Sequence, residues 1–555
     1  MSDQEVVPVF GIDLGTTYSC IAYVDEYGKP VVIPNSEGDR TTPSVVQFEG
    51  DNRVVGKEAK NSAVLNADQV VEMVKRHMGE SNWRFSYSGT EYSPEEISSY
   101  ILRKLADDAE QYLNFPVKDV VITCPAYFGI AQRDATARAG EIAGFNVREV
   151  INEPTAAAIM YGLQNEQDQV VLVYDLGGGT FDITVIEIKG GAITVIATGG
   201  DHNLGGRNWD EAVVTYAAEQ WKMETNSDDD PVDSPETLQD LWLRAEQAKQ
   251  SLTSKQETKV VVAHAGQRIG VPSTREKFDE LTANLLERTI DFTRSTMDEA
   301  RSRGFTQFDQ ILLVGGSTRM PQIAERLTGE FNLPLKIFDP DEAVAKGAAV
   351  YGRKLALDEK IQIKVAELTG TTSEQVELDE VPQQIVAKAQ ESVARDSGLR
   401  LAAVKKYSEM SVTNVASHSF GIIAINPETD REIIANMVLV NDALPLSKTQ
   451  TFHTIEANQE TVEFKVMENG IASPRVDDIS VGEEIGNATL TLPIRLPEHA
   501  PIEVTFELQR DGRLHITGRE PTSNASIEID IQTTRGLSDE ELQAAKQRSN
   551  KLVVS

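Results

Sequence analysis

Two short runs pair an aspartate with glycines and hydroxyls: Asp13–Leu14–Gly15–Thr16–Thr17 and Asp175–Leu176–Gly177–Gly178–Gly179–Thr180. Glycine permits a turn that brings backbone N–H groups close to a polyanion, and the threonine hydroxyls add further donors. An aspartate at the end of a strand can hold a hydrated Mg²⁺ beside the phosphates. Each run leaves one apolar strand (Val9 to Ile12; Val171 to Tyr174) and enters another (Cys20 to Val24; Ile183 to Ile186). A second strand where a helix would stand argues against Rossmann and Walker-type loops. Two such hairpins facing each other would grip one phosphate chain from both sides. A third run, Ile311 to Arg319 with Gly315 and Gly316, leads into a helix from Met320. There the glycine pair lets a flat ring approach, and Arg319 can stack on it.

The elements that must position these turns follow from periodicity. Residues 9 to about 355 alternate apolar strands with helical stretches, the pattern of an α/β domain, and the repeated hairpin implies two similar lobes. Residues 356–410 are rich in Glu, Gln, Ala and Lys with helical apolar spacing, a connecting segment. From 411 to 533 the period changes to two. Val462, Phe464 and Val466 alternate with Glu463 and Lys465, and Ile502 to Leu508 repeats the pattern. This predicts an antiparallel β-domain with one face buried and a hairpin turn at Asp511–Gly512. Residues 534–555 read as one helix, opened by the capping box Ser538…Glu541.

Composition narrows the function. A chain of 555 residues is too long for one core. A formal charge of −34 disfavours nucleic acid and anionic membranes as partners. Cys20 and Cys124 offer neither a disulfide framework nor a zinc spacing. The polar start and the lack of a long apolar run fit a cytoplasmic protein.

Gly11 to Thr17, Asp175 to Asp182 and Val314 to Pro321 together resemble the three signatures of the Hsp70 family, in order and spacing. Val121 to Phe128 and Asn152 to Ala158 are similar to further family stretches. The resemblance implies a two-lobed actin-like ATPase domain (1–355) followed by a β-sandwich that binds extended apolar peptides. It implies phosphate-binding turns at Gly15, Thr16, Thr17, Tyr18, Gly178, Gly179 and Thr180. Asp13, Glu153, Asp175 and Asp182 become the carboxylates around Mg²⁺, K⁺ and water, with Asp13, Asp175 and Asp182 nearest the metal. Lys75 becomes the group that positions the attacking water, and Thr180 and Asp182 join it in catalysis. Glu246, Lys249 and Thr253 match an adenosine-contacting helix, with Gly315, Gly316, Ser317, Arg319 and Asp341 opposite. Gln250 stands where some members carry arginine.

Pro125 and Arg133 match positions that relay nucleotide state. Ile422, Ile425, Phe452, Ile455, Val462 and Phe464 match the peptide groove. Implied ligands are ATP and ADP; implied partners are unfolded peptides, a J-domain co-chaperone and an exchange factor. Two departures stand out. Met410 to Asn414 is more polar than the family's leucine-rich linker, which predicts weakened coupling, and a short helical lid (534–555) predicts fast peptide release. An alternative is a nucleotide-binding adaptor or exchange factor with little turnover. A sugar or acetate kinase shares the Asp–Gly hairpins, but the β-domain after residue 411 disfavours it.

Overall fold

The computed structural model describes residues 8–555 except 166, 379, 494–495, 510–511, 524 and 532–536. Asp511 of the expected turn and the expected 533/534 boundary fall outside the described residues, whereas Gly512 carries the positive φ (87°) that such a turn needs.

Two sheets with the same wiring carry the two aspartate hairpins. In the first, the order is Asn146–Asn152, Asp119–Cys124, Val9–Asp13, Tyr18–Val24, Pro30–Ile33. In the second it is Leu335–Ile337, Gln310–Val314, Gln169–Leu176, Phe181–Lys189, Ala192–Asp201. Each hairpin pairs antiparallel within itself and parallel with its outer neighbour. The apolar strands demand cover on both faces, which helices supply. The repeated pattern is thus a repeated lobe.

Between the lobes, helix Glu153–Gln164 packs on helix Ala343–Thr369. Small residues make this contact one of backbone on backbone: a Cβ on Gly347 would lie 1.8 Å from the Ala156 carbonyl oxygen. A Cβ on Gly11 would lie 2.1 Å from the Ala349 nitrogen. Helix Ala343–Thr369 runs straight through the expected boundary at 355. Helices Gln383–Ser397 and Leu401–Ser408 fold back on it, and Leu357, Ile361, Val393 and Val404 share a core with Val9 and Ala22. The segment 356–410 is therefore packed against the lobes rather than strung between domains.

The polar linker is also docked. Ser411–Thr413 joins the second-lobe sheet as an edge strand parallel to Ala192, Ile193 and Thr194. Main-chain hydrogen bonds, not leucine side chains, hold it, so polarity does not prevent docking.

The β-domain is a sandwich. One sheet orders Arg475–Val476, Arg431–Val438, Ser419–Asn426, Thr461–Asn469, Glu483–Thr491; the other orders Leu446–His453, Pro501–Leu508, Leu514–Glu520, Ala525–Asp530. Phe420, Phe464, Val466, Val504, Phe506 and Ile516 fill the space between. The period-two pattern holds here: Ile502, Val504, Phe506 and Leu508 are all buried. Helix Asp539–Lys551 is capped by Ser538, whose Oγ accepts from Glu541 N at 3.2 Å. It lies on the first lobe, with Leu542 and Ala545 against Ile142, rather than over the sandwich. Among the described residues no helix is long and apolar enough to cross a membrane.

Candidate nucleotide site

The two hairpin turns meet tip to tip. A Cβ on Gly178 would lie 2.2 Å from Thr17 Oγ1, and one on Gly179 would lie 2.3 Å from Thr16 Cγ2. Only glycine allows that approach. The Gly177 and Gly178 carbonyls accept from Gly206 N (2.9 Å) and Arg207 N (2.8 Å), which pins the second turn to the start of helix Gly206–Thr225. Ser317 Oγ donates to the same Gly177 carbonyl at 2.9 Å, tying in the third glycine turn. The result is a cleft of about 430 Å³ with Asp13, Lys75, Glu153 and Asp175 on its wall.

Four carboxylates gather there around a single buried ammonium. Lys75 Nζ lies 2.5 Å from Glu153 Oε1, and both side chains are buried. Thr123 Oγ1 donates to Asp13 at 3.1 Å, and Tyr127 N donates to Asp182 at 3.2 Å. Burial, with the nearby Glu153 charge, pushes Asp13 up to about 7 against the opposing pull of Lys75. Burial and Glu153 do the same to Asp182, to about 7. Asp175 is raised well above the ordinary carboxylate range, by burial and then by Glu153, Asp182 and Asp13. Burial works to lower the Lys75 pKa, but Glu153 and Asp13 outweigh it and the lysine stays protonated. Negative charge is in excess, and a divalent cation beside these groups would relieve it. Among the described residues no three acidic, histidine or cysteine groups converge as direct ligands. Such an ion would be held by phosphate oxygens and water, with the carboxylates accepting from that water.

Across the cleft, the expected adenosine helix (Pro235–Leu252) presents Glu246 and Lys249. Glu246 accepts from Tyr18 OH (3.2 Å) and from Lys60 (2.5 Å), so it bridges the lobes. Lys249 donates to Asp210 (2.8 Å) and the Gly206 carbonyl (2.9 Å). Thr253 caps its own helix through the Gln250 carbonyl. Gly315, at φ 81°, passes close to Asp175, while Gly316 approaches Asp341, which pairs with Arg319 at 2.5 Å. All of the residues expected to touch nucleotide or metal thus line one cleft, except Gly179 and Asp182.

Sequence reasoning missed three participants. Arg76 donates to the Gly179 carbonyl at 2.8 Å and so braces the second turn. Arg207 lies 3.4 Å over the Trp242 ring and 3.6 Å from Glu72 across the cleft. Lys60 makes the cross-cleft ion pair. One signal existed: Gly205–Gly206 before a helical stretch is a further glycine turn. Arg76 and Lys60 carry no local signal.

The family model for the Hsp70 protein matches residues 9–84, 81–377 and 360–554. The chain belongs to the Hsp70 family. Two relatives, each named chaperone protein DnaK, from two strains of Halobacterium salinarum, are 38% identical over 550 residues. The alignment covers 96% of this chain and 76% of each relative. This member is accordingly an Hsp70-like chaperone and an ATPase, with actin-like lobes ahead of a β-sandwich.

The two residues expected to relay, Pro125 and Arg133, sit where the ATPase lobes meet the sandwich. Pro125 opens the loop whose Tyr127 N–H reaches Asp182, and Arg133 donates to the Phe128 carbonyl (3.0 Å) and to Asn152. On the sandwich side His418 lies against the Tyr127 ring, centroids 4.9 Å apart, and Glu468 accepts from Ile130 N at 3.4 Å. The six groove positions do not form one surface in this docked arrangement. Ile422 and Phe464 are in the sandwich core, Phe452 and Val462 pack at its margin, and Ile425 and Ile455 are exposed. Phe464 is wedged beside Gly518, where a Cβ would come within 2.7 Å of its ring.

Proposed function

We propose that the cleft binds ATP with Mg²⁺ and hydrolyses it, and that the hydrolysis state governs how firmly the β-domain is docked. The observation that supports this most is the set of four buried carboxylates around Lys75, between two facing glycine turns. The turns offer backbone N–H groups from Thr16 to Tyr18 and from Gly178 to Thr180 to the phosphate oxygens, while Gly15 N donates to Ser19 Oγ at 3.1 Å and holds the first turn in shape. Bound Mg²⁺ would supply charge neutralisation of the phosphate tail; Asp13, Asp175 and Asp182 would hold its water shell. Lys75, kept charged by Glu153, orients the attacking water, with Thr180 and Asp182 beside it. A buried carboxylate beside that water is suited to take the proton it releases. Positioning and charge do most of the work in such phosphoryl transfer. K⁺ is a further candidate for the carboxylate-rich side of the cleft.

The docked linker strand and the Tyr127–His418 contact favour a coupled chaperone over an adaptor or exchange factor with little turnover. Extended apolar segments of unfolded proteins are the substrates we assign to the sandwich. A J-domain protein and an exchange factor are the corresponding partners, and the cytoplasm the corresponding compartment. Single-turnover hydrolysis of ATP, with Lys75→Ala as control, tests the proposal. A burst in the parent that the variant lacks supports it. Equal, negligible rates with intact MgATP binding would leave the adaptor reading standing instead.

A further inference from the structure

Strand Asn52–Val55 of the first lobe pairs on one side with Val46–Glu49. Its other edge is occupied by the chain's own tail. Val553 and Val554 lie parallel beside Asn52 and Arg53. Ser555 N donates to the Arg53 carbonyl at 3.0 Å, and Val55 N donates to the Ser555 carbonyl at 2.9 Å. An open strand edge is a template for strand addition, and here a segment some five hundred positions away in sequence fills it.

The edge is held ready for this. The Arg53 guanidinium is buried 4.2 Å from the Phe48 ring centre, and it donates to the Gly50 and Asn52 carbonyls and to Tyr92 OH. The helix before the tail is anchored in the same place. Glu96, 1% exposed, accepts from Arg548 Nε (3.0 Å) and Nη2 (2.6 Å). Arg103 donates to the Ser549 and Leu552 carbonyls at the helix end.

The edge strand leads directly to the cleft. Val55 is followed by Gly56, at φ 101°, and then by helix Lys57–Ser62. From that helix Lys60 reaches Tyr18 OH at 3.0 Å and, on the opposite lobe, Glu246 at 2.5 Å. We propose that residues 548–555 form a latch that closes by strand addition on Asn52–Val55, and that its closure steadies the Lys60–Glu246 bridge and slows nucleotide release. The second half rests on the reading of the cleft as a nucleotide site; the strand addition does not.

Ser555→Pro tests both halves, because proline removes the N–H that the Arg53 carbonyl accepts and leaves the lobe untouched. Two quantities are read on the full chain: hydrogen exchange of the Val55 amide, and release of a fluorescent ADP by stopped flow. Faster exchange at Val55 and ADP release about three- to tenfold faster are expected, from the loss of one or two backbone hydrogen bonds. Ser555→Ala should stay within about twofold of the parent. Unchanged Val55 exchange in the proline variant overturns the strand addition. Faster exchange with unchanged ADP release overturns the link to the cleft. An effect that depends on protein concentration places the strand on a second copy and overturns a latch within one chain. If the parent takes up no ADP, the nucleotide reading fails, and Val55 exchange still judges the latch.

Discussion

Asn441 offers a quantitative handle on the docking of the two domains. Strand Ala192–Asp201 is paired on its outer side by the linker only as far as Thr194, so the Thr198 N–H would be orphaned. Asn441, on a turn of the β-domain, supplies the acceptor: its Oδ1 lies 3.0 Å from Thr198 N, both residues are buried, and Arg303 donates to its carbonyl. Its backbone is left-handed, φ 67°, which asparagine tolerates and glycine tolerates better. Asn441→Gly therefore keeps the turn and removes only the acceptor. Leaving a buried N–H unpaired costs about 1–3 kcal/mol, so docking should weaken by roughly 5- to 150-fold. Asn441→Ala loses the same bond and strains the turn by about 1 kcal/mol more, but that strain persists in the undocked domain. It should lower β-domain stability without weakening docking further. Hydrogen exchange at residues 192–198 and 411–413 reads the docked population. Parent-like protection of these strands in Asn441→Gly would refute the reasoning, since the bond would then contribute nothing to domain closure.

Other outcomes follow from the same geometry. Lys75→Ala should cut single-turnover hydrolysis by about 10²- to 10³-fold while MgATP still binds, measured by quenched flow and calorimetry. Gly179→Ala drives a methyl into Thr16, and forcing the turns apart by about 1–3 kcal/mol should weaken MgATP binding by roughly 5- to 150-fold in a calorimetric titration. His418 gives a pH dependence. Burial, then Arg133 and His202, lower its pKa from the usual 6.5 to about 4, although Glu468 lies 3.3 Å from Nδ1 and pulls the other way. The undocked state thus binds a proton that the docked state refuses. Docking is at full strength above about pH 6.5 and weakens by up to about 3 kcal/mol as pH falls toward 4. Interdomain energy transfer between dye labels should fall over that window and flatten in His418→Gln.

Much of the site was legible in the chain itself because its chemistry is local. An Asp–Gly–Thr turn between two strands is common on its own, but its second copy pointed both to a two-sided grip and to a second lobe. Period-two alternation marked the sandwich from Val462 to Ile531 for the same reason: each strand carries its own inside and outside. Arg76 and Lys60 were illegible, since a lysine or arginine on a short helical turn is ordinary until the opposite lobe arrives beside it.

What the sequence determined alone was the set of elements and the residue types at their turns, which depend on neighbours within a few positions. The tertiary structure decided how those elements close on one another. It folded residues 356–410 onto the lobes, seated the polar Ser411–Thr413 as an edge strand, and drew Ile422 and Phe464 into the sandwich core. It also returned Val553 and Val554 to the edge of Asn52–Val55. Those outcomes turn on unpaired backbone groups and buried charges meeting partners hundreds of residues away, and a one-dimensional pattern does not record which of them will come within reach.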